Sequence, residues 1–331
     1  MKRAVILFNL GGPDSPEAVE PFLRNLFSDP AVTSLPALLR LPLARWIARR
    51  RAPIAREIYA KIGGHSPILE ETQAQAHALE AVLTDQETRV FIAMRCWKPF
   101  SDEAARAVAD WAPDTVVLLP LYPQYSTTTT GSSLRDWRRA AHDAGVRAWT
   151  SAVCCYPQLP GFIEAVAARA RETAAKGRTD VTYRWLLSAH GLPKRVIARG
   201  DPYQWQVEQT AAALAERLEL TDFTICYQSR VGPLEWIGPG TDAEIRRAGA
   251  DGKGVIVVPI AFVSEHSETL VELDIEYAKL AREAGVRDYL RVPTVGVRAE
   301  FIAGLAGLVV KSSAERRCPA GFACCGFSQD E

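Results

Sequence analysis

The sequence predicts an α/β fold of two similar, doubly wound parallel-sheet domains facing each other across a cleft. Three observations predict it. Short unbroken apolar runs recur along the chain, each ends in turn residues, and each leads into a stretch with apolar residues at helical spacing. Runs of this length suit strands buried on both faces, and their alternation with helices suits parallel sheets.

The first set of strands is expected at residues 4–10, 90–94, 115–121 and 147–153, and the second at 184–189, 223–227, 254–260 and 289–292. Helices are expected at 70–83, 102–112, 161–175, 203–218, 269–277 and 300–311. The two sets resemble each other. Ile6-Leu7-Phe8-Asn9-Leu10-Gly11-Gly12-Pro13 lies over Leu186-Leu187-Ser188-Ala189-His190-Gly191-Leu192-Pro193, and Val117–Leu121 matches Ile256–Ile260. Four strands in the same order in each half predict domains at 1–157 and 158–298, followed by a C-terminal helix and cysteine-containing tail at 299–331. Loops at the carboxyl ends of such strands make the ligand crevice.

Composition narrows the function. A chain of 331 residues holds roughly two domains. Its 39 basic and 39 acidic residues cancel, which argues against nucleic acid as a partner, because phosphate binding needs a basic excess. The apolar run at residues 4–8 is too short for a signal-peptide core or a membrane span. Seven cysteines, an odd number, do not form a disulfide framework, and a reduced, cytoplasmic protein is expected. One stretch stands apart. From Asp29 to Glu57 no acidic residue intervenes, while Arg40, Arg45, Arg49, Arg50, Arg51 and Arg56 interleave with leucines, Trp46 and Ile47. Such a segment can lie on an anionic membrane surface, or can be a solvated helix with an ordinary core-facing side.

Two loops after second-domain strands carry chemistry. His190 ends a buried strand, which aims an imidazole tunable near neutrality at the crevice. Phe262-Val263-Ser264-Glu265-His266-Ser267-Glu268 leads into a helix with Glu268, Glu272 and Glu276 at i, i+4 and i+8. A file of carboxylates starting beside a histidine makes a cation pathway, and carboxylate with imidazole suits a first-row divalent metal such as Fe²⁺. No zinc-hydrolase spacing, Gly-x-Gly-x-x-Gly or phosphate loop is present, so no nucleotide cofactor is expected.

The chain resembles the ferrochelatases, which insert Fe²⁺ into protoporphyrin. The resemblance rests on Phe8–Pro13, Tyr59–Pro67, Leu119–Ser133, Ser188–Pro193, Tyr227–Pro233 and Phe262–Tyr277, in that order. It implies two Rossmann-like domains around a porphyrin cleft, with porphyrin and Fe²⁺ as substrates. It implies that His190 accepts pyrrole protons or binds the metal, that Glu268 is its paired acid with His266 as neighbour, and that Glu272, Asp274 and Glu276 line an acidic path. Leu10, Arg95, Tyr122, Tyr125, Ser126, Ser229, Val231, Pro233 and Trp236 are implied to meet the porphyrin. The basic segment falls where the family has an active-site lip, in some members a membrane contact, which places a peripheral contact at residues 35–51 on the inner membrane face.

Two departures from the family stand out. Cys96 replaces a commoner tyrosine, and Thr127 stands where members with an iron–sulfur cluster often place a cysteine. Yet Cys318, Cys324 and Cys325 form a cluster-like group, and a [2Fe–2S] cluster needs four thiolates. The fourth is expected from the adjacent pair Cys154 and Cys155, with Cys155, nearer the loop, preferred and Cys154 the alternative if the strand's polarity is reversed. Rival readings are a chelatase for another tetrapyrrole or metal (coproporphyrin, sirohydrochlorin, a cobalt substrate) and a porphyrin or haem carrier without turnover.

Overall fold

A computed structural model describes residues 1–230, 234–311, 318–319 and 322. The chain forms two compact units. The first comprises Met1–Cys155 with the last helix from Leu305 onward, and the second Tyr156–Gly304 with Cys318, Pro319 and Phe322.

In the first unit β1 (Lys2–Asn9), β2 (Glu87–Met94), β3 (Thr115–Pro120) and β4 (Trp149–Ala152) form a parallel sheet in the order β2-β1-β3-β4. In the second, β5 (Tyr183–His190), β6 (Phe223–Gln228), β7 (Gly254–Pro259) and β8 (Tyr289–Arg291) repeat it as β6-β5-β7-β8. The central strands are the continuous apolar runs, and Val5, Ile6 and Leu7 of β1 are fully buried, as are Leu186 and Leu187 of β5. The reversal of strand order falls between β1 and β3, and again between β5 and β7. Side chains just beyond their carboxyl ends therefore share a crevice in each unit.

All eight expected strands form, with ends shifted by at most three residues. The expected helix at 203–218 is Tyr203–Leu218, and the others shift by one or two residues. One element differs in kind. Glu268–Tyr277 is a π-helix, passing into the α-helix Ala278–Glu283. Its i→i+5 bonding is wider than that of an α-helix and is rare outside functional sites. Val271 and Leu273 are buried, and Leu273 joins Leu186, Cys226, Val255 and Val257 in the core under the sheet. This anchorage sets the helix's depth against β5 and β7.

Helix Thr241–Ala250 packs on the far end of that element with no room to spare. A Cβ on Gly249 would fall inside the contact radius of the Ala284 carbonyl oxygen. Gly249→Ala is therefore expected to lower the stability of the second unit by about 1–3 kcal/mol, read as a lower urea midpoint at unchanged slope.

Candidate active site

His190 is the last residue of β5 and pairs in register with Gln228, the last of β6. Tyr203 holds the strand end by donating to the His190 carbonyl at 3.0 Å. The imidazole is half-buried, and its Nδ1 lies 2.8 Å from Oε2 of Glu268, the first residue of the π-helix. The described residues offer Nε2 no hydrogen bond. Glu268 sits at a helix start, where the positive end of the backbone dipole favours a carboxylate.

The two groups shift each other. Burial alone would lower the His190 pKa, but the Glu268 charge and hydrogen bond, with Glu272 behind them, raise it above the ordinary imidazole value. Burial would raise Glu268, yet the His190 charge and hydrogen bond, helped by His266, hold it well below the usual carboxylate range. The ionised Glu268 thus fixes the proton on Nδ1 and leaves Nε2 as the basic nitrogen. His266, after β7, places Nε2 3.9 Å from Glu268, stacks edge-on with Phe262 and points Nδ1 at the Ser264 carbonyl.

Glu272 lies one turn on. It accepts from the Ser229 backbone N–H at 2.8 Å, from the Ser229 hydroxyl, from Tyr277 at 3.0 Å and from Gln228 Nε2 at 3.2 Å. Burial and the neighbouring Glu268 charge raise its pKa against these donors, so this carboxyl takes up a proton more readily than a free one. Glu276, a further turn out, is exposed. The three carboxylates thus grade from partly buried to solvent.

Asp274 departs from that file. Arg291 grips it through both Nε (2.7 Å) and Nη2, and reaches Glu265 at 2.6 Å. A residue two positions from Glu272 lies on another side of the helix, where it meets β8 instead. The Arg291 clamp ties the loop before His266 to the π-helix, and Glu265 further accepts from the Thr294 N–H.

Ser229, expected to meet the porphyrin, is turned toward Glu272 and Glu268 (3.3 Å) by a left-handed backbone, φ 61°. Trp236 is half-buried, with its indole Nε1 unpaired among the described residues, and lies over Gly191 beside His190. Val231 and Pro233 lie outside the described residues, as do Cys324 and Cys325.

In the first unit the expected residues lie beyond the ends of β1, β2 and β3. Arg95 is held by Asp29 (3.0 Å) and Ser132 (2.7 Å), with Asp29 itself buried. The Tyr122 hydroxyl is buried, and loss of solvation pushes its pKa up against the lowering effect of Ser133. Tyr125 and Ser126 are buried in the packing of their own loop, whereas Leu10 is only partly buried. Cys96 is buried among the residues that pack the first two helices, and burial pushes its thiol up to about 12. Asp29, Ser132, Gln228, Tyr203 and Arg291 were not singled out from the sequence. Gln228 lies inside the Tyr227–Pro233 motif and was within reach, while Asp29 and Arg291 carry no local signal. Among the described residues no group of three or more His, Cys, Asp and Glu side chains is set to hold a metal ion.

Comparison with known proteins decides the family. The ferrochelatase family model matches residues 2–313. The chain belongs to the ferrochelatase family. It is 60% identical over 311 residues to the ferrochelatase of Phenylobacterium zucineum, covering 92% of this chain and 90% of that one. It is 56% identical to the ferrochelatase of Caulobacter vibrioides strain NA1000 / CB15N over 339 residues, covering 98% and 97%. In fold it is similar to the sirohydrochlorin chelatase SirB of Bacillus subtilis subspecies spizizenii, solved with cobalt, at a TM-score of 0.56 and 12% identity over 94% of this chain and 95% of that one.

The ion pair yields a prediction about titration. His190, followed by NMR of the labelled imidazole, should titrate above a free histidine. Glu268→Gln removes the charge that holds the proton, so His190 should then titrate at lower pH. An unmoved midpoint would contradict the pairing.

Proposed function

We propose that the chain inserts Fe²⁺ into protoporphyrin IX, releasing two protons and forming protohaem. Membership of the ferrochelatase family over nearly the whole chain supports the reaction. The observation that carries the assignment of residues is the His190–Glu268 pair at the β5–β7 crevice.

A porphyrin holds two pyrrole N–H protons in its plane, and metal insertion needs both removed. His190 Nε2 takes the two pyrrole protons one at a time, giving up the first before it accepts the second, while Glu268 stabilises the imidazolium formed each time. Glu272, with its raised pKa, then passes protons outward toward Glu276 and solvent. Fe²⁺, the other substrate, is proposed to enter along the same carboxylates and to reach Glu268, His266 and His190, which among the described residues form no preset metal site. Asp274, held by Arg291, stands outside this route. The residues proposed to meet the porphyrin are Ser229, Val231, Pro233 and the half-buried Trp236 in the second unit, and the partly buried Leu10 with Arg95, Tyr122, Tyr125 and Ser126 in the first.

The tail is proposed to carry a [2Fe–2S] cluster on Cys155, Cys318, Cys324 and Cys325. Cys318 is buried, and its sulfur accepts a hydrogen bond from Gln206 at 2.9 Å. The Phe322 ring lies 5.6 Å from that of Trp205 on helix Tyr203–Leu218. An N–H donor to sulfur is what a cluster thiolate takes from its surroundings, and Cys155 is buried as well.

The proposed place of work is the cytoplasm, with residues 35–51 resting on the inner membrane face. Among the described residues no helix is long and apolar enough to cross a membrane. Large apolar side chains in this segment are exposed beside its arginines, which supports a contact at the surface.

Anaerobic Fe²⁺ with protoporphyrin, followed by the change to haem absorbance, tests the activity. His190→Ala should lower kcat by about 10²- to 10⁴-fold while porphyrin still binds. Substantial turnover in the folded variant would remove His190 from the mechanism. Glu276→Gln should raise KM for Fe²⁺ by about two- to fivefold at unchanged kcat, as expected for one exposed charge.

Protein purified without oxygen should be red-brown, with about two iron and two sulfide per chain, and Cys318→Ser should lose both. Colourless, iron-free protein from iron-replete cells would refute the cluster.

A further inference from the structure

The π-helix Glu268–Tyr277 needs support from outside itself. Bonding from i to i+5 is rare, and the apolar spacing of this segment satisfies the α form equally well. The choice between the two forms matters to the site. In an α-helix the fourth residue along overshoots the first by about 40°, whereas in the wider π turn it falls short. A change to the α form would therefore carry Glu272 round relative to Glu268, off the line of the Ser229 N–H and hydroxyl from which it accepts.

Two side-chain donors meet the Glu268 and Leu273 carbonyls, five residues apart, which is the span of one π hydrogen bond. Gln228 gives its Nε2 to the Glu268 carbonyl at 3.0 Å, and Ser188 orients that amide by donating to its Oε1 at 2.9 Å. At the far end the Tyr289 hydroxyl donates to the Leu273 carbonyl at 2.8 Å. Burial and the Asp274 charge push the Tyr289 pKa up, so the phenol keeps the proton that it donates. Tyr289 and Arg291 lie on one face of β8, two positions apart, and grip consecutive helix residues, Leu273 by its carbonyl and Asp274 by its carboxylate. β8 is three residues long, stands at the edge of the sheet and pairs with β7 alone. Side chains inserted at helix carbonyls divert the i→i−4 ladder of an α-helix.

We propose that Tyr289 is a positioning residue. Pinned by it at Leu273 and by Gln228 at Glu268, the helix keeps the π spacing that sets Glu268 on His190 and Glu272 on Ser229. The Tyr289 hydroxyl bonds the backbone rather than either carboxylate, so it acts through the spacing of the helix. β8 is then a staple for the site as well as the edge of a sheet. The inference rests on the His190–Glu268 pair as the place of iron insertion.

Amide exchange over residues 268–278, followed by mass spectrometry of the full chain, reads the opening of the helix. Tyr289→Phe removes one hydroxyl and keeps the ring. Exchange should quicken by about two- to tenfold, the weight of one hydrogen bond, across the whole segment as far as its Glu268 end. The kcat for iron insertion should fall by about two- to tenfold at unchanged KM for porphyrin. Tyr183→Phe is the control. It removes a hydroxyl that donates to Asp288 and accepts the Arg178 N–H, beside β8 but away from the helix. It should change kcat and exchange of the segment by less than about twofold. Thermal unfolding verifies that both variants are folded. Faster exchange confined to residues beside Leu273, with kcat unaltered, would overturn the positioning role. Equal losses of kcat in the two variants, or slower insertion with exchange unaltered, would overturn it as well. Failure of the unaltered chain to insert iron would refute the proposed reaction, and the exchange measurement would still decide whether Tyr289 pins the helix.

Discussion

A partly buried imidazole and a partly buried carboxylate 2.8 Å apart do not titrate independently. Each is penalised by loss of water, and each is rescued by the other, so the histidine is raised and the glutamate lowered. The neighbouring structure is arranged around that bond. Tyr203 fixes the end of β5, and the start of the π-helix delivers Glu268 with a favourable backbone dipole. Ser229, in a left-handed conformation, braces Glu268 and Glu272 together. Strain of this kind persists where surrounding contacts over-determine it, as the hydrogen bonds to both carboxylates do here.

The π-helix connects this pair to solvent. Leu273 and Val271 hold it to the core, Arg291 grips Asp274 from β8, and Tyr289 donates to the Leu273 carbonyl at 2.8 Å. Glu268, Glu272 and Glu276 are thereby carried on an element fixed from its opposite side. Two carboxyls one turn apart are shifted in opposite directions, Glu268 down by its histidines and Glu272 up by burial and the adjacent charge. That difference leaves Glu268 as the charged partner of the imidazole and Glu272 as the carboxyl that takes up a proton more readily.

Much of this was legible in the amino-acid sequence. Strand positions follow from unbroken apolar runs such as Val255–Val258, and the repeated strand order follows from the match between the halves. His190 and Glu268 stand out because each ends or begins an element next to turn residues. What local pattern does not carry is partnership across the fold. Arg291 lies 17 residues from Asp274 and reads as an ordinary strand-end arginine, yet it removes Asp274 from the carboxylate file. Asp29 pairs with Arg95 across 66 positions in the chain, so an arginine that resembles a ligand contact is also part of a buried ion pair. The π-helix was invisible for a different reason, since its apolar spacing also satisfies an α-helix. The outward face of helix Ala37–Ala60 was half-visible. Its charge and leucine content are plain, but the burial of Ala44, Ala48 and Ala52 shows which side is free.

The central claim is that Glu268 sets the basicity of His190 and that His190 is the group accepting pyrrole protons. Protonated Nε2 cannot accept a proton, so the insertion rate should rise with pH through the His190 pKa. The most direct measurement is the pH dependence of single-turnover iron insertion in the unaltered enzyme and in Glu268→Gln. The account predicts a rising limb above the ordinary imidazole pKa in the former, displaced to lower pH in the slower variant. A limb at the same pH in both proteins would contradict it.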